Sequence, residues 1–515
     1  MNNLLRHVAC LACLWAGAAW AEDVTLLSQD GAVEISGQIL GYDGEFYRVS
    51  TDYGELTVDA SGVRCDGPGC PNLTEFVPQV RVVGAAVMAD KLLPALIEGF
   101  AADRRMQVSR EDTPDGVLFS LLRPASGDAV LRLLLQSGTS DDGIAALVAG
   151  QTDLALALRD LRAEERVAAR QAGLGDLQDI GQAVIVALDA LVPAVAPGNP
   201  VQVISPTDLA RVMAGVITNW SELGGETAPI NLHLPPAGSG LAQAITDRLL
   251  APDGLQPASG QLHPDTQAVA QAVAVDPFGL ALVTRTELGP ARALQLSSGC
   301  GHALGATPQT VKTEDYPLTT PFFLYQPMRR LPKLGRDFMA YLQGSEAQYV
   351  VRAAGFTDQA VERLRLAGQG ERLANAILAT GEDVTLDDVQ EMVSLMRETD
   401  RLSVTIRFEP GAPAPDAQSR GNIALLARGL EQGRFDGQRL VFVGFSDGDG
   451  GAAANRRIAL RRAQAVRDAV LAQAETADLA RVEIDVRGFG EALPMACDDS
   501  DWGRRTNRRV EIWLR

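Results

Sequence analysis

The period of the hydrophobic pattern changes along this chain, and the changes divide it. Over residues 24–63, short β-rich runs (VTLL, VEISGQIL, FYRVST, ELTVDA) are separated by Gln29-Asp30-Gly31, Tyr42-Asp43-Gly44 and Asp52-Tyr53-Gly54. Asp-Gly between such runs is a strong hairpin signal, so a small antiparallel β module, a little open barrel, is expected over 22–75. Tyr42 and Tyr47 read as cross-strand packing in preference to a binding face. Between residues 80 and 356, strand-like runs alternate with helical ones, the pattern of an α/β fold with a largely parallel sheet. The run at 81–84 ends as a strand, and Leu92, Leu93, Leu96, Ile97 and Phe100 then form a helical stripe. The strand at 131–136 passes through Ser137-Gly138-Thr139-Ser140 into a helix at 144–148. The strand at 230–234 passes through Gly238-Ser239-Gly240 into a helix at 242–250. Such junctions offer free backbone N–H groups and helix dipoles to an anion, in the crevice where open α/β sheets bind ligands.

Residues 357–399 read as helices, with Ala360, Leu364, Leu366, Leu373, Ile377 and Leu378 apolar among charges. Thr385 with Asp388 fits a capping box. The segment is expected to act as a helical linker that spaces the α/β region from the C-terminal residues, and its acids lack the spacing of a Ca²⁺ loop. From 400 to 515 the order is β-α-β-α-β-β. In the last strand Val510, Ile512 and Leu514 alternate with Arg509, Glu511 and Trp513, the period of a half-buried strand.

At 515 residues the chain exceeds what one core usually spans, so several domains are expected. Its first 21 residues read as a secretory signal peptide: an uncharged apolar stretch at 8–19, then Ala19-Trp20-Ala21 before acidic Glu22 and Asp23. That stretch is short of the roughly 20 residues a membrane-spanning helix needs, so no membrane span is expected, and neither Cys10 nor Cys13 has the setting of a lipid-attachment site. The formal charge of −19 argues against nucleic acid or an anionic membrane as partner. Outside the signal peptide lie Cys65, Cys70, Cys300 and Cys497, in a compartment where thiols oxidise. Cys65 and Cys70 flank the turn Asp-Gly-Pro-Gly and are expected to form a local disulfide; zinc would need four ligands, and no histidine is near. Cys300 and Cys497 either pair across two domains or stay free. Neither metal nor cofactor is expected. His233, His263 and His302 lack metal-ligand spacing and no nucleophile elbow occurs, so an enzyme is not expected either.

Four motifs in order, GFSDGDG (444–450), NRRIALRRAQAV (455–466), GFGEALP (488–494) and GRRTNRRVEIWLR (503–515), closely resemble the OmpA-like peptidoglycan-binding domain. The resemblance implies an α/β sandwich in which Asp447 and Arg462 grip diaminopimelate of the peptidoglycan stem. Asn455, Ser446 and Arg508 stand at matching positions, as do Ala463, Gly488, Gly490, Asn507 and Arg509. The chemistry suits the ligand: a carboxylate takes the ammonium of a zwitterion and a guanidinium takes its carboxylate in a fork. The plainer reading is an exposed helix whose arginines offset acidic neighbours. Ser446 departs from the family's threonine, and Asp449 is an additional acid.

The succession 151–161, 184–201, 209–225 (with ITNWSELGG), 238–240, 276–283, 315–325 and 344–356 looks like the phosphate-binding, PstS-like solute receptors of ABC transporters. This implies the two-lobed periplasmic-binding-protein fold over 76–356, with the lobes exchanging near 188–195 and the chain returning around 280–325. It also implies an oxyanion held by the Ala86 backbone, Ser137, Thr139, Ser140, Ser239 and Gly240, with Arg159 as countercharge and Asp141 or Asp142 as acceptors. Ala85-Ala86 stands where the family has a hydroxyl, and Leu241 replaces a threonine; the plainer reading makes these residues turn and helix-cap groups. The chain as a whole is expected to be a periplasmic, cell-wall-associated protein. Its expected partners are peptidoglycan, phosphate or another small oxyanion, and an ABC permease; the alternative is a wall-anchored scaffold whose receptor-like domain has lost its ligand.

Overall fold

The computed structural model describes residues 23–73, 76–179, 181–297, 303–328, 330–379, 384–408 and 414–515. The signal peptide and Cys300 lie outside them. Cys497 is buried and disulfide-bonded. The chain divides into two compact units, Met1–Pro78 with Arg330–Lys333, and Gln79–Arg329 with Leu334–Arg515. No helix among the described residues is long and apolar enough to cross a membrane.

In the first unit five antiparallel strands lie in the order Gly54–Asp59, Phe46–Thr51, Glu34–Tyr42, Asp23–Ser28 and Val63–Asp66. Val24, Leu26, Tyr47 and Val49 form its core. Tyr42 and Tyr47 are register partners whose rings stack at 4.8 Å, so these aromatics pack across strands. Cys65 and Cys70 form a disulfide with Cα atoms 5.8 Å apart.

The second unit is built around one long strand. Ala183–Val195 pairs through residues 183–190 with Thr319–Tyr325, and through residues 191–194 with Gly279–Thr284. The first half thus belongs to a sheet containing Leu154–Ala157, Gln79–Ala85, Ala129–Gly138, Gly116–Leu122 and Gln107–Thr113; the second half belongs to one containing Gly279–Thr284, Asn231–Leu234 and Gln261–Leu262. The two sheets are the two lobes. Pairings are parallel from Leu154–Ala157 through Gln79–Ala85 to Ala129–Gly138 and from Gly279–Thr284 through Asn231–Leu234 to Gln261–Leu262. They are antiparallel at Gln107–Leu122, between Gly116–Leu122 and Ala129–Gly138, and wherever Ala183–Val195 or Thr319–Tyr325 pairs, so the sheets are mixed and not the largely parallel ones expected, because the strand shared by both lobes runs against its neighbours. All but the first residue of Ala183–Val195 are buried, as a strand covered on both sides requires.

The C-terminal sheet has the order Arg363–Leu364, Asp400–Arg407, Arg509–Leu514, Arg439–Phe445, Glu483–Gly488. One face carries the helices Ala417–Glu431 and Ala452–Gln473 over Val404, Ile406, Leu440, Phe442, Val510 and Ile512. Within 357–399 the helices Gly370–Ala379 and Leu386–Glu398 form, but Arg363–Leu364 is an edge strand and the stretch is no spacer. Ala376 of Gly370–Ala379 and Met392 and Met396 of Leu386–Glu398 cover the opposite face, against Val441, Val443, Phe445 and Trp513. For that reason Arg509–Leu514, expected to be half-buried, is buried at every residue. Its polar side chains enter an ionic network: Glu511 accepts from Arg509 Nε at 2.8 Å and from Trp513 Nε1 at 3.0 Å, and pairs with Arg372 and Arg401.

The same network crosses to the two-lobed region. Arg401 donates from Nη1 to Asp315 Oδ2 at 2.7 Å and from Nη2 to Asp315 Oδ1 at 3.0 Å, with both side chains buried. Around this fork Arg407 donates to the Glu314 carbonyl at 2.7 Å, Asn422 to Glu314 Oε1 at 3.2 Å, and Gln359 to the Ile185 carbonyl at 2.6 Å. Gly421, without a Cβ, lets the helix Ala417–Glu431 lie directly on Ile185.

Burial opposes ionisation of Glu511, but the guanidinium groups of Arg372, Arg401 and Arg509 outweigh it and bring its carboxyl down to about 2. A carboxyl lowered on folding contributes stability above its unfolded value, and that stability is lost as pH falls toward 2. Removing one partner of a buried ion pair leaves an uncompensated charge, so Arg401→Ala is expected to cost roughly 3–5 kcal/mol. Urea denaturation followed by tryptophan fluorescence should show this, and the double variant Arg401→Met with Asp315→Leu should recover most of the loss.

Candidate functional site

Two sets of residues converge in space. The first is formed where the strand Arg439–Phe445 runs into the Gly-rich loop after Ser446. The helix Ala452–Gln473 crosses this strand and Glu483–Gly488 at backbone contact: a Cβ on Gly444 would lie 2.0 Å from the Ala459 carbonyl oxygen, and one on Gly488 would lie 2.5 Å from Leu460 N. Only glycine permits that approach. It sets Asn455 and Arg462 beside the loop.

Asp447 Oδ2 accepts from Arg508 Nη1 at 2.6 Å. Ser446 is buried; its N–H donates to the Gly490 carbonyl at 2.8 Å, and its Oγ has no partner among the described residues. Asn455 is buried and donates from Nδ2 to Glu491 Oε2 at 3.1 Å. Gly448 N–H donates to Asp498 Oδ2 at 2.7 Å. Arg508 is presented by the helix Asp501–Asn507, whose last residue acts as a clamp. The Asn507 side chain accepts from Met495 N at 2.7 Å and donates to the Ala496 carbonyl at 2.8 Å and to Asp498 Oδ1 at 2.9 Å.

Arg462 differs from its neighbours. Its Nη1 is buried without a hydrogen-bond partner among the described residues, and its guanidinium lies 5.5 Å from the Phe408 ring centre. Burial lowers its pKa and the charges of Arg508 and Arg461 add to the effect, while Asp447 opposes it. The arrangement therefore offers one carboxylate, already paired, and one guanidinium with unused donors. The family resemblance pairs Asp447 with Arg462, and the structure adds Arg508 as the direct partner of Asp447. Phe408 and Asp498 were not anticipated, because each reaches the loop through tertiary contact, and Glu491 lies within the GFGEALP motif without having been given a role.

The second set lies at the strand ends of the two lobes. A Cβ on Gly240 would stand 3.8 Å from the Gly138 carbonyl oxygen, so the loop of one lobe meets that of the other. Ala85 pairs with Gly138 across the sheet, and Ala86 comes next, half-buried. The polar side chains here already have partners. Ser137 Oγ donates to Asp90. Thr139 and Asp142 form a capping box on Ser140–Val148, so Asp142 is engaged as a cap. Ser140 is buried, and its Oγ accepts from Leu158 N at 3.0 Å. Ser239 caps the next helix, accepting from Ala242 N at 3.2 Å. Arg159 is buried against Asp141, Glu165 (2.6 Å) and Asp247 (3.3 Å). Burial works against its charge, but Glu165 and Asp141 raise its pKa nonetheless. Asp90, Glu165 and Asp247 were not anticipated, for an isolated acid on a helix reads as solvated. The histidines bring a further surprise: His233 Nδ1 lies 3.0 Å from His263 Nε2 and His233 Nε2 lies 3.0 Å from Asp276. No group of three or more His, Cys, Asp and Glu that could hold a metal ion occurs among the described residues.

Residues 91–346 match the model of the PBP superfamily domain, and residues 407–508 match that of the OmpA family. The chain is thus a fusion of a PstS-like domain of the PBP superfamily with a C-terminal OmpA-family domain. Among curated proteins it is 27% identical to the phosphate-binding protein PstS of Bacillus subtilis over 235 residues, 44% of this chain and 73% of that protein. It is also 27% identical to protein SphX of Synechococcus elongatus over 265 residues, 48% and 76% of the two chains. Similar solved structures include an ABC-type phosphate transport receptor from Vibrio cholerae (17% identity, TM-score 0.41, covering 54% of this chain and 98% of that one). Another is PstS from Borrelia burgdorferi (18% identity, TM-score 0.38, 55% and 98%).

Asn507→Ala would leave the Met495 N–H and the Ala496 carbonyl unpaired in the interior, at a cost of about 1–3 kcal/mol for each buried group left unsatisfied. A lower urea midpoint for Asn507→Ala than for Asn507→Asp, which keeps the acceptor, would show that the acceptor side of the clamp contributes to stability.

Proposed function

We propose that the chain is a periplasmic protein held to the cell wall by its C-terminal domain and carrying a receptor-like module for a small oxyanion such as phosphate. The observation that carries the first half is the unpartnered Arg462 guanidinium beside the Asp447–Arg508 pair. A diaminopimelate end is a zwitterion: its carboxylate takes the free fork of Arg462 and its ammonium takes the outer side of Asp447. Arg508 holds the Asp447 carboxylate in place, while Ser446 and Asn455 shape the loop around it. Low exposure of these groups strengthens each pairing relative to water.

For the central module, phosphate is supported by the family match and by the PstS relative. Helix-start N–H groups at the Ala86, Ser140 and Gly240 loops would bind the anion, and an ABC permease would be the partner of a transport receptor. A second reading keeps the wall anchor and makes this module a scaffold. It is favoured by one specific finding, that Ser137, Thr139, Ser239 and Arg159 already have intramolecular partners. The PstS relative of the module is a binding protein, and no catalytic step is assigned to the module.

Asp447→Ala and Arg462→Ala should each abolish co-sedimentation with purified diaminopimelate-type sacculi while leaving the circular dichroism unchanged; undiminished pelleting of both would refute the assignment. Isothermal titration with inorganic phosphate decides between the two readings of the module. Heat of binding that Ser239→Ala weakens by roughly tenfold (about 1.4 kcal/mol) supports a receptor, and no heat at millimolar phosphate supports the scaffold.

A further inference from the structure

A cavity of about 570 Å³ lies where residues of both lobes meet the C-terminal domain. Its charged lining includes Arg159, Arg162, Arg248, Arg407 and Arg505 against Asp160, Asp247, Glu314 and Asp416. Three of the arginines are committed: Arg159 and Arg162 to Asp141 and Asp247, and Arg407 to the carbonyls of Thr506 and Glu314. Two are not. Arg248, at the end of the helix that Ser239 caps, and Arg505, one turn before Arg508, form no side-chain hydrogen bond or ion pair with any described residue, although both line the cavity. Burial lowers the pKa of each; Glu314, Asp416 and Asp247 act against this at Arg248, as do Asp501 and Asp253 at Arg505, where the like charge of Arg508 adds to the lowering.

Burial and the neighbouring Asp416 push the Glu314 carboxyl up to about 8 against the pull of Arg407 and Arg248, so it is largely uncharged near neutrality. With Arg159 and Arg162 taken up by Asp141, Glu165 and Asp247, the donors left over in the cavity are those of Arg248 and Arg505. Two guanidinium groups with unused donors lining one cavity suit an anion. Its position says which one. Phe408 lines the cavity and also carries the Arg462 guanidinium over its ring, so the cavity adjoins the Asp447 site through one side chain.

We propose that the cavity is a second pocket for the same wall peptide: a stem peptide held at Asp447 and Arg462 runs past Phe408 and places a further carboxylate between Arg505 and Arg248. This rests on the wall-binding reading above. It means that both domains grip one ligand, with Arg248 of the receptor-like region contributing directly to attachment.

The test is isothermal titration of the whole mature chain with a soluble diaminopimelate-type disaccharide tripeptide at low salt. Wild type is compared with Asp447→Ala, Arg248→Ala and Ala251→Trp. Ala251 is exposed and lines the cavity, so a tryptophan there occupies the space while leaving every arginine in the sequence. Expected is no binding by Asp447→Ala and a dissociation constant raised roughly tenfold in each of the other two. If Arg248→Ala and Ala251→Trp bind like wild type while Asp447→Ala does not bind, the cavity proposal is overturned and the wall reading stands. Weakening in only one of the two overturns it as well, since both alter one space. If Asp447→Ala binds like wild type, the wall reading fails and this proposal falls with it.

Discussion

The fork between Arg401 and Asp315 decides how this molecule is organised. Neither group can be left alone in a dry interior, where an unpaired charge costs several kcal/mol. Each is also held by others: Arg401 by Glu511, and Glu511 in turn by Arg372 and Arg509. A strand of the C-terminal sheet, the helix that covers its outer face and a loop of the two-lobed region therefore share one electrostatic unit. A flexible tether between the domains would break it. The docking of Gly421 on Ile185 and the donation from Gln359 to the same residue conform to the geometry this pair imposes.

Much of this architecture is legible in the order of residues alone. The Gly-rich loop after Phe445, the glycines at 488 and 490, and the Arg-rich helix mark the C-terminal domain because close backbone approach and a forked cation leave few alternatives in residue type. Gly444 and Gly488 show why: any side chain there would collide with the helix above. The lobe crossing near Leu188 is equally readable, since a thirteen-residue strand, apolar except at Asp189, is too long for a single buried sheet pairing and here serves two. The capping boxes at Thr139 and Thr385 arise from local spacing.

Tertiary charge pairing is what stays hidden. Asp315 and Arg401 stand 86 positions apart, and in sequence each looks like a solvated surface group. The alternation of Arg509, Glu511 and Trp513 suggests a wet face for the last strand, because charged residues in a strand usually point to water. Arg372, presented by a helix that reads as a linker, reverses that inference. Arg159 misleads in the opposite direction: an arginine near a cleft suggests a countercharge for a ligand, and three carboxylates from separate elements consume it.

The buried ion network also bears on modularity. Domains that recombine freely meet across surfaces each can expose to water when alone. Here the halves meet across Asp315, Lys312 and Glu314 on one side and Arg401, Asp358 and Asn422 on the other. Cut apart at residue 356, each fragment would carry ionised groups shaped for a dry interior and deprived of their counterions. A transplanted domain from another fusion would meet the same difficulty, so the two halves of this chain are bound to diverge as one inheritance rather than as interchangeable parts.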